Sequence, residues 1–196
     1  LAQLNGTVQN LKLENVQITS NSKSKIYAGA IVGMITDASA DIRNCAATGS
    51  ITLPDASTAD GAGGIVGGVL LSGSLEMNGV YGKVNITNGK YTGGLIGIAQ
   101  NAQHVTIQNC AVAGDLKVNT GGGIIGWLTS VPTTAERVYF GGTITGNTRY
   151  GFAYNKYYNS TLTVTSVYYD STKNKGSYSW DSFDAVASKN GLSGLI

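Results

Sequence analysis

The sequence predicts an all-β protein: a parallel β-solenoid of about five to six coils over residues 1–170, with an aromatic-rich C-terminal cap over 171–196. Three observations predict it. A Gly-rich hexapeptide recurs in register, an alternating segment trails each copy, and the composition suits a pleated, half-buried surface. Gly accounts for 28 of the 196 residues, Pro for only 2, and charged residues for 12%. Gly is enriched well beyond its usual share of about 7%, yet without the Gly-at-every-third-position pattern of collagen. At 42% hydrophobic, the chain has enough apolar side chain to escape disorder. Thr, Ser, Val, Ile and Tyr supply most of the rest and favour strands.

The hexapeptide is first seen as Ala28-Gly29-Ala30-Ile31-Val32-Gly33 and recurs as Ala62-Gly63-Gly64-Ile65-Val66-Gly67. It returns as Thr92-Gly93-Gly94-Leu95-Ile96-Gly97 and as Gly121-Gly122-Gly123-Ile124-Ile125-Gly126, with a worn copy at Tyr150-Gly151-Phe152-Ala153. Successive copies lie 34, 30, 29 and about 29 residues apart. This unit is too short and too rich in Gly for a helix. Its glycines allow tight bends and close backbone approach.

The trailing element runs Ile42-Arg43-Asn44-Cys45 to Ile51 and again Ile107-Gln108-Asn109-Cys110 to Leu116. A copy between them spans Leu75 to Val84 with Gly82 at its turn, and Val8 to Val16 is the same element with Leu in place of Cys. Period-two alternation places Ile107, Cys110, Val112, Leu116 and Val118 inward, with corners near Asn109 and at Gly114. Each repeat therefore offers about three short strands and cannot bury its apolar face alone. Stacking repeats converts those faces into one core. A propeller is the rival for this period, but a four-stranded blade needs about 40 residues.

These copies resemble the GLUG motif family, with Gly94-Leu95-Ile96-Gly97 as the direct match and Gly64-Ile65-Val66-Gly67 and Gly123-Ile124-Ile125-Gly126 as variants. Asn44–Gly49, Asn109–Gly114 and Val167-Tyr168-Tyr169-Asp170 are similar to the family's companion elements, so the resemblance covers roughly residues 5–172. Such repeats belong to large secreted or surface-attached bacterial proteins, including adhesin-like proteins and the non-catalytic parts of immunoglobulin A proteases. The resemblance implies an extracellular or cell-surface binding or spacer module, concerned with adhesion and carrying no catalytic residues. A polysaccharide lyase or hydrolase built on the same coils, and a purely structural stalk, are the alternatives. The start at Leu1 is read as a processed or excised segment of a larger protein.

Charge bounds the partners. A net charge of +2 is spread thinly and makes no basic patch, so nucleic acid is not expected. No apolar run reaches the roughly 18 residues of a membrane span. A host or environmental glycan or a surface protein is the expected partner of a monomeric chain that needs no cofactor.

Candidate chemistry is sparse. Cys45 and Cys110 occupy equivalent positions two repeats apart. At a coil spacing of about 4.8 Å they stand roughly 10 Å from each other, too far for a disulfide, and read as small buried apolar residues. His104, the one histidine, is placed in a loop after Ala99, without a Gly-x-Ser-x-Gly elbow anywhere. Asp37 with Asp41 and Asp55 with Asp60 are assigned to inter-strand loops of solvated turn formers. Neither these carboxylates nor any others form a catalytic pair or calcium set on the sequence alone.

The aromatics give the one further hint. Twelve of 16 lie after position 138, from Tyr139 to Phe183. Such residues cap a solenoid end, where apolar core and strand edges are exposed. They also suit glycan stacking, since Tyr and Trp join a flat apolar face to a polar tip. The expected ligand-binding residues are Tyr154, Tyr157, Tyr158, Asp170 and Trp180, with Asn155 and Asn159 holding hydroxyl groups and Asp181 and Asp184 as further carboxylates. A helical turn is expected from Phe183 to Ser188, stopping before Gly191.

Overall fold

The computed structural model describes residues 1–22, 24–54, 61–154, 160–170 and 172–174. It is an all-β parallel solenoid of about five turns, and no helix occurs among the described residues. The first turn holds β1 (Gly6–Gln9), β2 (Lys12–Thr19), β3 (Tyr27–Gly29) and β4 (Val32–Thr36). The second holds β5 (Ser39–Arg43), β6 (Ala46–Thr52), β7 (Gly61–Gly63) and β8 (Val66–Leu70), and the third β9 (Ser74–Asn78), β10 (Tyr81–Thr87), β11 (Tyr91–Gly93) and β12 (Ile96–Gln100). In the fourth, corners are absorbed into longer strands: β13 (His104–Val112), β14 (Leu116–Gly122) and β15 (Ile125–Thr129). The fifth has β16 (Thr133–Phe140) and β17 (Ile144–Tyr150), and β18 (Leu162–Tyr169) begins a sixth.

Every strand pairs in parallel with its counterpart one turn away. Side one stacks β1-β5-β9-β13-β16-β18. Side two stacks β2-β6-β10-β14-β17. Side three is the four-stranded sheet β4-β8-β12-β15.

The corner between sides one and two is made by the Asn of the Asn-Cys element. Asn10, Asn44, Asn109, Arg137 and Ser166 all have positive φ between 50° and 57°, and Gly79 has 68°. Asn tolerates this left-handed conformation better than most side chains. The Cys that follows seals the corner, since the Cys45 and Cys110 thiols donate to the carbonyl oxygens of Arg43 and Gln108 at 3.1 and 3.0 Å. A second positive-φ column, Asp37, Leu71, Asn101 and Ser130, turns the chain out of side three.

The Gly-x-x-Gly element makes the third corner, where the short strands β3, β7 and β11 double back against side three. A Cβ on Gly63 or Gly93 would strike the carbonyl oxygen of Val66 or Ile96, and one on Gly97 would meet the Ala62 backbone nitrogen at 2.5 Å. Two backbones thus lie against each other with no room for a side chain between them. At the outer lip of this glycine seam, the Tyr27 ring fills the space over Gly68, Ile98 packs over Gly61, and Tyr91 lies against Trp127 with ring centroids 4.1 Å apart.

The core follows the expected ladders. Ile31, Ile65, Leu95 and Ile124 are linked N–H to O=C at 3.0–3.1 Å, each no more than 1% exposed, and Phe152 continues the column. The predicted inward residues Ile107, Cys110, Val112, Leu116 and Val118 are all buried. Cys45 and Cys110 are free and buried, with Val80 stacked between them.

Three expectations need correction. The middle copy sits two residues later than read: Met77, not Leu75, pairs with Ile42 and Ile107. Val84 takes the place of Gly49, while Gly82 lies opposite Ala47 and Val112 mid-strand. His104 is not in a loop but opens β13, and Asp41 lies in the middle of β5 rather than between strands. Strand alternation carried to these positions decides all three. The expected helical turn at 183–188 lies outside the described residues, as do Asp55 and Asp60.

Candidate functional site

The residues expected to bind ligand divide in two. Tyr157, Tyr158, Trp180, Asn155, Asn159, Asp181 and Asp184 lie outside the described residues. Tyr154 and Asp170 are described, and the structure does not bring them together.

Tyr154 follows Ala153, which bridges to Ile125, so it stands level with Gly126 at the last glycine of the repeat. It stacks on Tyr150 with ring centroids 4.8 Å apart and planes 25° from parallel. The fifth turn thus closes its lip with two tyrosines where earlier turns have a glycine.

Asp170 is turned back on its own chain. Its Oδ1 accepts from Thr172 Oγ1 at 2.5 Å and from the Thr172 backbone N–H at 2.9 Å, and its Oδ2 lies 3.6 Å from Lys173 Nζ. The Thr172 hydroxyl above all, helped by the backbone N–H groups of Thr172 and Lys173 and by the Lys173 charge, holds the carboxyl below its ordinary pKa against desolvation by burial. Beside it Asn174 is buried, donating to Gly142 O and accepting from the Ile144 N–H. This turn continues the coil, with Asp170 bonded to the residues that follow it.

The other aromatics of the C-terminal half split the same way. Phe140 and Phe152 enter the core, at 1% and 3% exposure, where earlier turns have Val112 and Ile124. Tyr139 and Tyr168 pair on the outer surface, and burial, with Asp170 adding a smaller effect, raises the Tyr139 pKa.

The structure also assembles a site the sequence reading missed. On the outer surface of side one, Asp41 and Glu76 are Cα partners on neighbouring turns, and Arg43 pairs with Asn78 beside them. Two carboxylates at strand spacing repel. Arg43 offsets this: its Nε and Nη2 reach the two oxygens of Asp41 at 2.8 and 2.5 Å. The hydrogen bond to Asp41, with further charge from Asp41 and Glu76, raises the Arg43 pKa. His104 pairs with Ser74, whose hydroxyl donates to Ser39 Oγ at 3.0 Å.

Two shallow cavities flank this group. One of about 200 Å³ is lined by Asp41, Arg43, Glu76 and Gln108, and another of about 330 Å³ by Thr7, Asp41, Glu76 and His104. Chemically, the group can accept hydrogen bonds from hydroxyls and donate them from Arg43. No cluster of three or more His, Cys, Asp or Glu residues able to hold a metal occurs among the described residues. No described helix is long and apolar enough to cross a membrane.

The fold defines the class, a parallel β-solenoid. Compared with known proteins, the chain matches no family model, no curated protein and no solved structure.

Proposed function

We propose that the chain is a non-catalytic binding or spacer module of a larger extracellular bacterial surface protein, of the kind its GLUG-like repeats suggest, with a glycan or a surface protein as partner. The observation that carries this reading is the outer surface of the stack. Each turn repeats the same backbone at about 4.8 Å, so outward side chains form straight polar columns on a rigid rod. Thr7-Asp41-Glu76-Thr106-Thr134-Thr163 is one such column. Columns of hydroxyls, amides and charges on an inflexible support suit an extended ligand that repeats along the same direction. Immobilised protein screened against polysaccharides and bacterial or host surface proteins tests it. Saturable, salt-sensitive capture of one class is expected, and a folded protein that captures nothing reduces the reading to a passive spacer.

The Asp41–Glu76 pair favours a second reading, a polysaccharide-acting enzyme. Carboxylates about 5–9 Å apart are the working pair of glycoside hydrolysis, and neighbouring turns allow that separation. Release of reducing ends from a polysaccharide, abolished in Asp41→Asn and Glu76→Gln variants, would replace the non-catalytic reading.

A further inference from the structure

We propose that side two carries a binding site for an acidic oligosaccharide, built on β14 and β17; the proposal rests on the binding-module reading and gives it a ligand class. A shallow cavity of about 320 Å³ opens on this surface, lined by Asn88, Lys117, Asn119 and Asn147 together with Thr145. Lys117 and Thr145 are Cα partners across the two turns, and Asn119 and Asn147 follow two residues on in the same strands.

The hydrogen-bonding inventory of the wall indicates the ligand. Asn147 Nδ2 donates to Asn119 Oδ1 at 3.0 Å. That bond fixes both side chains and leaves the Asn119 amide N–H groups and the Asn147 carbonyl oxygen unused among the described residues. Asn88 donates through Nδ2 to Leu53 O at 3.2 Å, which leaves its side-chain Oδ1 as a second acceptor. Lys117 is exposed and has no ion pair among the described residues. Asp115, two residues before Lys117, makes no ion pair with it among the described residues and accepts through Oδ1 from the N–H and hydroxyl of Thr143 at 2.9 and 2.7 Å.

One ammonium, an amide donor and two carbonyl acceptors therefore share one cavity. A simple anion would leave the acceptors unmatched, and a metal cation would meet Lys117. A chain of hydroxyl-bearing rings with carboxylates uses all of them, since hydroxyls both donate and accept. Tyr91 pairs with Thr120, the residue after Asn119, and its contact with Trp127 at the glycine seam supplies apolar surface beside the cavity against which a sugar ring can lie. Lys90, 5.4 Å from the Tyr91 ring centre, adds a second cation. The cavities on side one carry Asp41 and Glu76 and repel the same ligand, so an acidic chain is directed to side two.

Polygalacturonate oligomers and their carboxyl-reduced counterparts, titrated against the whole chain by calorimetry, test the proposal. The acid form should bind, more weakly as salt rises, and the reduced form should not. Lys117→Ala should weaken binding about tenfold, the loss of one charge-assisted hydrogen bond. The Asn119→Ala/Asn147→Ala double variant should weaken it further. Lys12→Ala, an exposed cation of the first turn, should leave it unchanged, and thermal melts should show all variants folded. Acid-form binding that survives both variants overturns the site, and equal binding of the reduced form overturns the ligand class; either leaves a binding module standing. A folded wild type that ignores both oligomers yet captures another glycan or a protein also overturns this site alone. If it captures nothing at all, the binding-module reading falls with it.

Discussion

The first turn and the third carry the same ladders and bury them differently. On side one Val8 is half-buried, while Ile42, Met77 and Ile107, stacked below it, are no more than 1% exposed. Leu11 and Leu13 are half-buried where their second-turn counterparts Cys45 and Ala47 are at 2% and 0%. At the glycine seam the same first turn is closed: Ile31 and Val32 are 1% and 0% exposed. There Leu1 lies across it, its amino group donating to Ile31 O at 2.7 Å and its carbonyl accepting from the Gly33 N–H at 2.8 Å. Residue type does not explain the difference, because Leu and Val occupy both kinds of place. An interior turn has neighbours above and below, whereas among the described residues most of the first turn has only one.

Four measurements would break or sharpen this comparison. The largest effect is expected at Leu95, which has Ile65 on one side of its ladder and Ile124 on the other. Leu95→Ala should cost about 4 kcal/mol in urea unfolding, through lost burial and a cavity that two stacked neighbours cannot collapse. A cost near 1 kcal/mol would mean interior turns are no better packed than the first.

Gly97→Ala comes next. Its Cβ would press on the backbone of Ala62 and Gly61, which cannot move without opening the seam, so a loss of about 3 kcal/mol is expected. A neutral result would show the seam to be looser than the geometry here.

Smaller near neutral pH, and growing only in alkali, is the effect of Cys110. Burial, partly offset by nearby backbone hydrogen bonds, pushes its thiol up to about 12. The folded state thus holds the proton more tightly than the unfolded chain, whose thiol titrates near 8.5. Stability from this group is complete below about pH 8 and declines as pH rises toward 12, by up to about 1.4 kcal/mol per unit. Cys110→Val, matching Val80 and Val138 in the same column, should remove that part of the slope in alkaline melts.

The smallest effect is expected at Leu11. With only one stacked neighbour and part of its surface in water, Leu11→Ala should cost about 1 kcal/mol, less than half the Leu95 value. Equal costs would contradict the stacking account.

Much of the fold was legible because a solenoid writes its geometry into a period. The Ile31-Ile65-Leu95-Ile124 ladder could be read by aligning copies, and the Cys45–Cys110 separation followed from counting turns. The middle copy was misaligned because Val84 replaces the glycine expected at that corner and Gly82 stands close enough to be taken for it. That slip hid the Asp41–Glu76 pair. Setting Met77 opposite Ile42 would have put the two carboxylates side by side. Nothing in Tyr169-Asp170 by itself foretells the bonds that Thr172 and Lys173 make to Asp170.

The sequence by itself determined that strands stack in parallel, which side of each strand faces the core, and where glycine is needed. Alternation, period and the size of a missing side chain are local properties of the chain. Only the tertiary structure decided which outward residues become neighbours. Loops between turns differ in length, and a shift of one or two residues moves every outward column. The surfaces of Asp41 with Glu76, and of Lys117 with Asn119 and Asn147, therefore exist only once the turns are stacked.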